Sequence, residues 1–505
     1  MPQRGPARTI PFREIQRPGY IVERLLIETL PGFFVGANVY RPTANPATRK
    51  PAVLVAHGHW KHGRVEHTDA YSVPALCALL AANGYVALAY DMVGYNDTRQ
   101  VPHKFGDTAE ERLWSFGPLS LQLWNSLRMA DYLSTRPDVD PQRLAITGAS
   151  GGGTQTYLLA AVDDRIQISI PAVMVSAHFQ GDDPCEMAPG LRVGTNNVEL
   201  AAAFAPRPML LLSSTRDWTS HAPSVEFPAI QEIYSLLGAP THVESLHVDA
   251  EHGYNADQRQ AALRFLGKHF HMPSNVPEPA GITAPQLDLL IGPDAAASIS
   301  GAVNRHGVFR AWQRLLTARN EATPPSEKAI LLRALTGGQW PAKVLFVATR
   351  GTGFVHRDGA DDIVPARLLP GSPATPVLAV HSAGMAAAEK LPDALAARRR
   401  GSQLLVLDLF GTASAIPPPK GRHGDHLVFH YADDANRVQD ILTGLAWLAR
   451  GGAKPRLVCG QSAAAWCRLA VALAPIELGV DYDEPRHRQL LIPGLAAAGY
   501  PQPRD

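Results

Sequence analysis

Between Val53 and Phe270 short apolar runs alternate with longer amphipathic stretches. Val53–Ala56, Val86–Tyr90, Leu144–Thr147, Ile166–Val175, Met209–Ser213 and Val243–Val248 have the length and composition of buried strands. Between them, Val73–Ala82, Leu119–Ser134, Thr154–Ala161, Ala229–Leu237 and Ala256–Phe270 carry helical periodicity. Continuous apolar strands separated by helices predict an α/β fold, with a mostly parallel sheet covered by helices on both faces. Ahead of them, Tyr20–Ile27 and Phe33–Tyr40 flank Pro31-Gly32 and predict an antiparallel hairpin.

The pattern breaks at Pro273, Pro277, Pro279 and Pro285. This stretch reads as a linker over 273–286, leaving domains at 1–272 and 287–505. A length of 505 residues also favours two domains over one core. The second half partly echoes the first. Pro376–His381 is similar to Pro51–His57, Leu404–Gly411 to Ala87–Gly94, and Leu457–Ser462 to Ala145–Ser150. Two copies of one α/β unit account for this economically.

Composition narrows the classes of function. A 46% hydrophobic and 18% charged chain is globular. The formal charge of +1 lacks the basic excess of a nucleic-acid binder. The longest apolar stretch, Ala75–Tyr90, is interrupted at Asn83-Gly84, so no membrane span is expected. Met1–Tyr20 carries four arginines and no apolar segment, which reads as no signal peptide and a cytoplasmic protein. Cys77, Cys185, Cys459 and Cys467 are too few for a disulfide framework and read as ordinary buried thiols.

The sharpest chemical signal is the strand Leu144–Thr147 running into Gly148-Ala149-Ser150-Gly151-Gly152, with a helical pattern leaving it. Gly-x-Ser-x-Gly between strand and helix presents a nucleophilic serine on a turn so tight that its neighbours must be small. A dinucleotide loop is the rival reading. Thr154 stands where its last glycine would be, the loop is not on the first strand, and no Tyr-x-x-x-Lys occurs, so no cofactor is expected. A serine nucleophile needs an acid and then a histidine downstream. Asp217 follows Met209–Ser213 and His252 follows Val243–Val248, each just past a predicted strand end. Asp182, Asp183 and Glu186 stay open as alternative acids. Backbone donors for an oxyanion are expected from Gly151 and from His59 in the loop after Val53–Ala56. His57, His59, His62, Glu66 and His67 form a histidine-rich run, but a strand-end loop does not converge such side chains readily, and no metal is expected. Trp60 and Trp218 are candidates for lining a substrate pocket; Trp114, Phe116 and Trp124 read as packing.

Taken in order, Tyr20–Arg24, Pro31–Pro42, His57-Gly58, Gly148–Gly153, Cys185-Glu186, Asn197–Leu200, Phe204–Pro208 and Asp217–Thr219 resemble the bacterial α/β-hydrolases known as acetyl xylan esterase-like. The resemblance covers about residues 20–270 and implies the α/β-hydrolase fold and ester hydrolysis by Ser150, Asp217 and His252. Glucuronoyl esterases are a related comparison, but they place an arginine after the serine where this chain has Gly151. The second half is similar to a truncated copy that has lost the chemistry. Ser462 lacks the following glycine, His381-Ser382 replaces His-Gly, and no acid and base follow Ser462 at comparable spacing. The expected function is cleavage of a small carboxylic ester, acetyl or short acyl and carried on a small molecule or carbohydrate, through an acyl-enzyme. An amidase or peptidase with the same residues, or a non-catalytic scaffold, are the alternatives. The second domain is expected to shape the pocket or an oligomer interface.

Overall fold

The apolar runs pair into two sheets, and the chain divides accordingly into two units. The computed structural model describes residues 4–43, 48–349, 352–418, 425–461, 463–482 and 490–500. Of the described residues, those up to Asp107 and Phe116–Arg314 form the first unit, and Thr108–Ser115 and those from Leu315 onward form the second.

The first sheet has ten strands: β1 (Thr9–Pro11), β2 (Ile15–Arg17), β3 (Tyr20–Leu30), β4 (Phe33–Pro42), β5 (Lys50–Ala56), β6 (Val86–Tyr90), β7 (Val139–Ala149), β8 (Ile166–Ala172), β9 (Met209–Arg216) and β10 (Val243–Glu251). Their order is β1-β3-β4-β6-β5-β7-β8-β9-β10, with β2 beside β3. The β3–β4 hairpin turns at Gly32, whose φ of 78° suits glycine. It joins β6 antiparallel, and from β6 to β10 every pairing is parallel. Helices Val73–Ala82 and Ala256–Phe270 share one core with Val53, Val55, Ala87, Ala89 and Ala145 of the central strands. Leu54, Leu88 and Ile146 point the other way and are equally buried, so the strands read as unbroken apolar runs. The strand expected over Ile166–Val175 ends at Ala172. Val173, at a φ of 47°, turns the chain out of the sheet.

The stretch expected as a linker, 273–286, is held against the first unit instead. The Asn83 side chain bonds both the N–H and the carbonyl of Val276, at 3.0 and 2.9 Å, and Arg259 pairs with Glu278 at 2.7 Å. Leu289 is buried, and its carbonyl accepts from Asn38 at 3.0 Å. Proline removes backbone donors and favours an extended path, which suits a strap along a surface as well as a free tether. The division falls farther on, at Arg314/Leu315 inside the helix Arg305–Ala322.

The second sheet has seven strands: β11 (Val344–Thr349), β12 (Thr352–Arg357), β13 (Val364–Leu369), β14 (Ser372–His381), β15 (Ser402–Leu407), β16 (Arg456–Gly460) and β17 (Gly479–Tyr482), ordered β11-β12-β13-β15-β14-β16-β17. It is antiparallel up to β13–β15 and parallel beyond. The helix Asp433–Leu448 supplies much of its core. The short helix Ala109–Leu113, though early in sequence, packs Leu113 into this same core, and its carbonyls at Arg112 and Leu113 accept from Gly494 and Ala496.

One reading of the cysteines is corrected. Cys459, on β16, forms a disulfide with Cys467 on the following helix, Ala463–Leu473, while Cys77 and Cys185 are free and buried. A spacing of eight residues brings a strand end and the next helix together once the turn between them is tight, which no sequence motif announces.

Candidate active site

β7 hands over to the helix Gly151–Val162 at Ser150, which holds φ 59° and ψ −128°, a backbone conformation rarely adopted by residues with a side chain. The turn is tight enough to exclude side chains on its flanks. A Cβ on Gly148 or Gly152 would collide with the Ala56 carbonyl at the end of β5. The first-turn amides of the helix point away from its body at this spot, an environment that favours negative charge.

β5, β9 and β10 deliver the other residues to the same sheet edge. His57 is buried and fixes the β5 loop: its Nε2 accepts the Met92 N–H at 2.9 Å and its Nδ1 faces the Gly58 carbonyl at 2.8 Å. Burial pushes this imidazole down to about 3, so it stays neutral. His59 follows, and a Cβ on Gly151 would lie 2.7 Å from its Cε1, so the two candidate oxyanion segments are neighbours. Asp217 stands directly after β9, its carboxylate almost wholly buried. One oxygen accepts the Thr219 N–H and hydroxyl at 2.7 and 2.6 Å; the other meets Nδ1 of His252 at 2.9 Å. His252 directly follows β10, with a quarter of its side chain exposed. Among the described residues no hydrogen bond occupies its Nε2.

The two tryptophans singled out from the sequence both face this imidazole. Trp60 lies parallel to it at 5.5 Å and stacks on Tyr71 at 3.6 Å; Trp218 is 4.3 Å from it and stacks on Phe179. Phe116 and Trp124 pack against Phe309 and Trp312, away from these residues, and Trp114 lies against the second unit's core.

Of the alternative acids, Asp182 is exposed and the other two are engaged elsewhere. Asp183 meets His103 Nε2 at 3.1 Å and His59 Nε2 at 3.8 Å. Glu186 accepts the Asp182 N–H at 3.1 Å and lies 3.5 Å from His59 Nδ1, and burial raises its carboxyl to about 7. The histidine-rich run does not converge: His67 bonds the Ser72 hydroxyl, His57 holds the Met92 amide, and only His59 turns toward Asp183 and Cys185. His103 is the residue sequence reasoning missed. It sits in an unpatterned loop, and only the fold brings it to His59.

Residues 35–269 match the model of the dienelactone hydrolase family. The chain is 27% identical over 290 residues to "Putative hydrolase YtaP" of Bacillus subtilis (strain 168), covering 53% of this chain and 94% of that one. It is 28% identical over 130 residues to "Quorum-quenching protein AidA" of Acinetobacter baumannii (strain MDR-ZJ06), covering 26% of this chain and 36% of that one. Among solved structures, "Methylesterase BT1017" aligns at 30% identity and a TM-score of 0.49, covering 62% of this chain and 68% of that one.

Proposed function

We propose, from the premise that residues 35–269 form a dienelactone hydrolase family domain, that this protein is a carboxylic-ester hydrolase working through Ser150, His252 and Asp217. The observation that carries the reading is the buried Asp217 carboxylate bonded to His252 at 2.9 Å, on the sheet edge where Ser150 stands at its strained turn.

In this mechanism Ser150 Oγ attacks the ester carbonyl and its proton passes to His252 Nε2. The imidazolium is stabilised by Asp217, to which it donates through Nδ1–H. The tetrahedral oxyanion accepts from the Gly151 and His59 backbone amides. As the intermediate collapses, the C–O bond to the alcohol breaks and the alcohol takes the proton from His252. Water then repeats the sequence on the acyl-serine and releases the acid. Trp60 and Trp218 beside His252 offer flat apolar surface suited to a short acyl group or the face of a sugar. The substrate class we favour is therefore a small ester, acetyl or short acyl, on a small molecule or carbohydrate.

Hydrolysis of p-nitrophenyl acetate, butyrate and octanoate by wild type and Ser150→Ala tests this. The expected result is cleavage favouring acetate, with a loss of at least about a thousandfold in Ser150→Ala. Full activity in that variant would remove Ser150 as nucleophile; a wild type inert on all three esters would favour a scaffold.

A further inference from the structure

Beside the proposed catalytic residues lies a cluster the mechanism does not use. His59 comes from the loop after β5, His103 from the loop after β6, and Asp183 and Cys185 from the loop after β8. Their donor atoms, one each, all lie within 4.8 Å of one another. We propose that these four side chains bind a zinc ion.

Three arguments support this, and the first is geometric. Zinc bonds of about 2.0–2.3 Å to four tetrahedral donors require donor–donor separations of roughly 3.3–3.8 Å. His59 Nε2 lies 3.0 Å from Cys185 Sγ and 3.8 Å from Asp183 Oδ1, and His103 Nε2 lies 3.1 Å from that same oxygen. The two shorter edges reach the metal-bound values by opening a few tenths of an ångström, the third already has one, and the remaining pairs lie within 4.8 Å. The second is donor chemistry. One sulfur, two imidazole nitrogens and one carboxylate oxygen suit borderline-soft zinc; calcium and magnesium take oxygen throughout.

The third is the ordering of the ligands. The Val93 carbonyl accepts the His103 Nδ1 hydrogen at 2.7 Å, which leaves Nε2, 3.1 Å from Asp183, as the nitrogen that ligates the ion once its own hydrogen has left. Glu186 stands 3.5 Å from His59 Nδ1, the carboxylate–histidine arrangement typical behind zinc ligands. Glu186 also accepts the Asp182 N–H at 3.1 Å, shaping the loop that carries Asp183 and Cys185, and the Cys185 N–H donates to Asp183 at 3.2 Å. Cys185 Sγ is fully buried.

On binding, Zn–S and Zn–N bonds form while the Cys185 thiol proton and the His103 Nε2 proton leave to solvent. Four protein ligands close the coordination sphere, so the ion ties loops together and does not activate water. It joins the β5 loop to the β8 loop beside Gly151. Only its expected effect on turnover, through the His59 amide, rests on the esterase reading; the binding itself does not.

The test uses the full chain, purified without a histidine tag. Metal content is measured as isolated, and the chelator-stripped protein is titrated with Zn²⁺ and separately with Co²⁺. The expected result is one equivalent of zinc in wild type and in Ser150→Ala, and a thiolate-to-cobalt charge-transfer band that Cys185→Ser abolishes. His103→Gln should bind zinc more weakly by at least about a hundredfold, since even outer partners of zinc ligands cost ~10–100-fold. Folding of each variant is checked by circular dichroism. Folded wild type that takes up no zinc overturns the proposal, as does equal affinity in His103→Gln and Cys185→Ser. Zinc binding without esterase activity in wild type would sink the esterase reading and leave this one standing.

Discussion

Laid strand on strand, β4-β6-β5-β7-β8 of the first sheet and β13-β15-β14-β16-β17 of the second are one arrangement built twice. The ladders pair Ala37 with Tyr90 and Ala366 with Leu407, and in each the next amide, Asp91 or Asp408, donates to the preceding carbonyl, Gly36 or Pro365. Asp91 accepts from the Asp97 N–H and the Thr98 hydroxyl, and Asp408 from the Ser414 N–H and hydroxyl, so each carboxylate braces the loop after its own strand. The two copies differ at the end of the next strand. Ala56 pairs with Tyr90 and Gly148 in the first sheet; in the second, the matching ladders give Cys459 the place of Gly148 and Gln461 the place of Ser150.

That register revises the expected correspondence by one residue. Along the sequence, Gly460-Gln461-Ser462 matches Gly148-Ala149-Ser150. The structure puts Gln461, at φ 47°, on the turn that Ser150 occupies at φ 59°; Ser462 lies outside the described residues. The bent joint therefore belongs to the strand–helix connection and persists without a nucleophile. The proposed acid and base depend on β9 and β10, which pair beyond β8, and among the described residues the second sheet has no strand beyond β17. The shared architecture and the proposed acid–base pair are separable here because Asp217 and His252 follow strands that the second sheet lacks among the described residues.

The largest effects should come from breaking the chemistry on the complete side. Asp217→Asn should lower kcat for p-nitrophenyl acetate by about 10³–10⁴-fold, since the asparagine no longer holds His252 in the working tautomer. Steady-state kinetics checks this, and a loss under tenfold would return the acid role to Glu186 or Asp183. Transplanting the nucleophile should fail: Gln461→Ser in a Ser150→Ala background is expected to stay inert, and recovered turnover would break the comparison.

Smaller effects should separate the two turns by stability. Gly152→Ala drives a methyl into the Ala56 carbonyl and should cost about 1–3 kcal/mol, read as a lowered midpoint in urea. At the other turn, Cys459→Ser removes the link to the following helix and should cost about 2–3 kcal/mol, a loss that reducing agent reproduces in wild type and not in the variant.

A pH dependence is expected in the second unit as well. Burial pushes Asp440 up to about 7, while its oxygen accepts the Phe410 N–H at 2.6 Å. The folded state binds this proton more tightly than the unfolded chain, whose carboxyl titrates near ~3.9. The stabilisation is complete below the unfolded value and is lost as pH rises through about 7. Asp440→Asn should therefore raise Tm at pH 8 by a few degrees and leave it nearly unchanged at pH 4, by calorimetry.

Much of this protein is written in local patterns. Apolar runs of strand length, helical periodicity and the small residues around Ser150 each act over a few neighbours, so the parallel sheet, the second copy and the tight turn could be read along the chain. The His252–Asp217 pairing was legible as one option among several, because strand ends mark where such residues stand but not which carboxylate arrives. Tertiary structure decided what depends on distance between remote segments. It paired His252 with Asp217 and took Asp183 and Glu186 to His59; it brought His103 beside Cys185, packed the 273–286 stretch onto the first unit, joined Cys459 to Cys467 and put Gln461 at the second turn. Periodicity carries no information on register or on which loops converge. Those are set by how sheets twist and how side chains exclude one another in the assembled core.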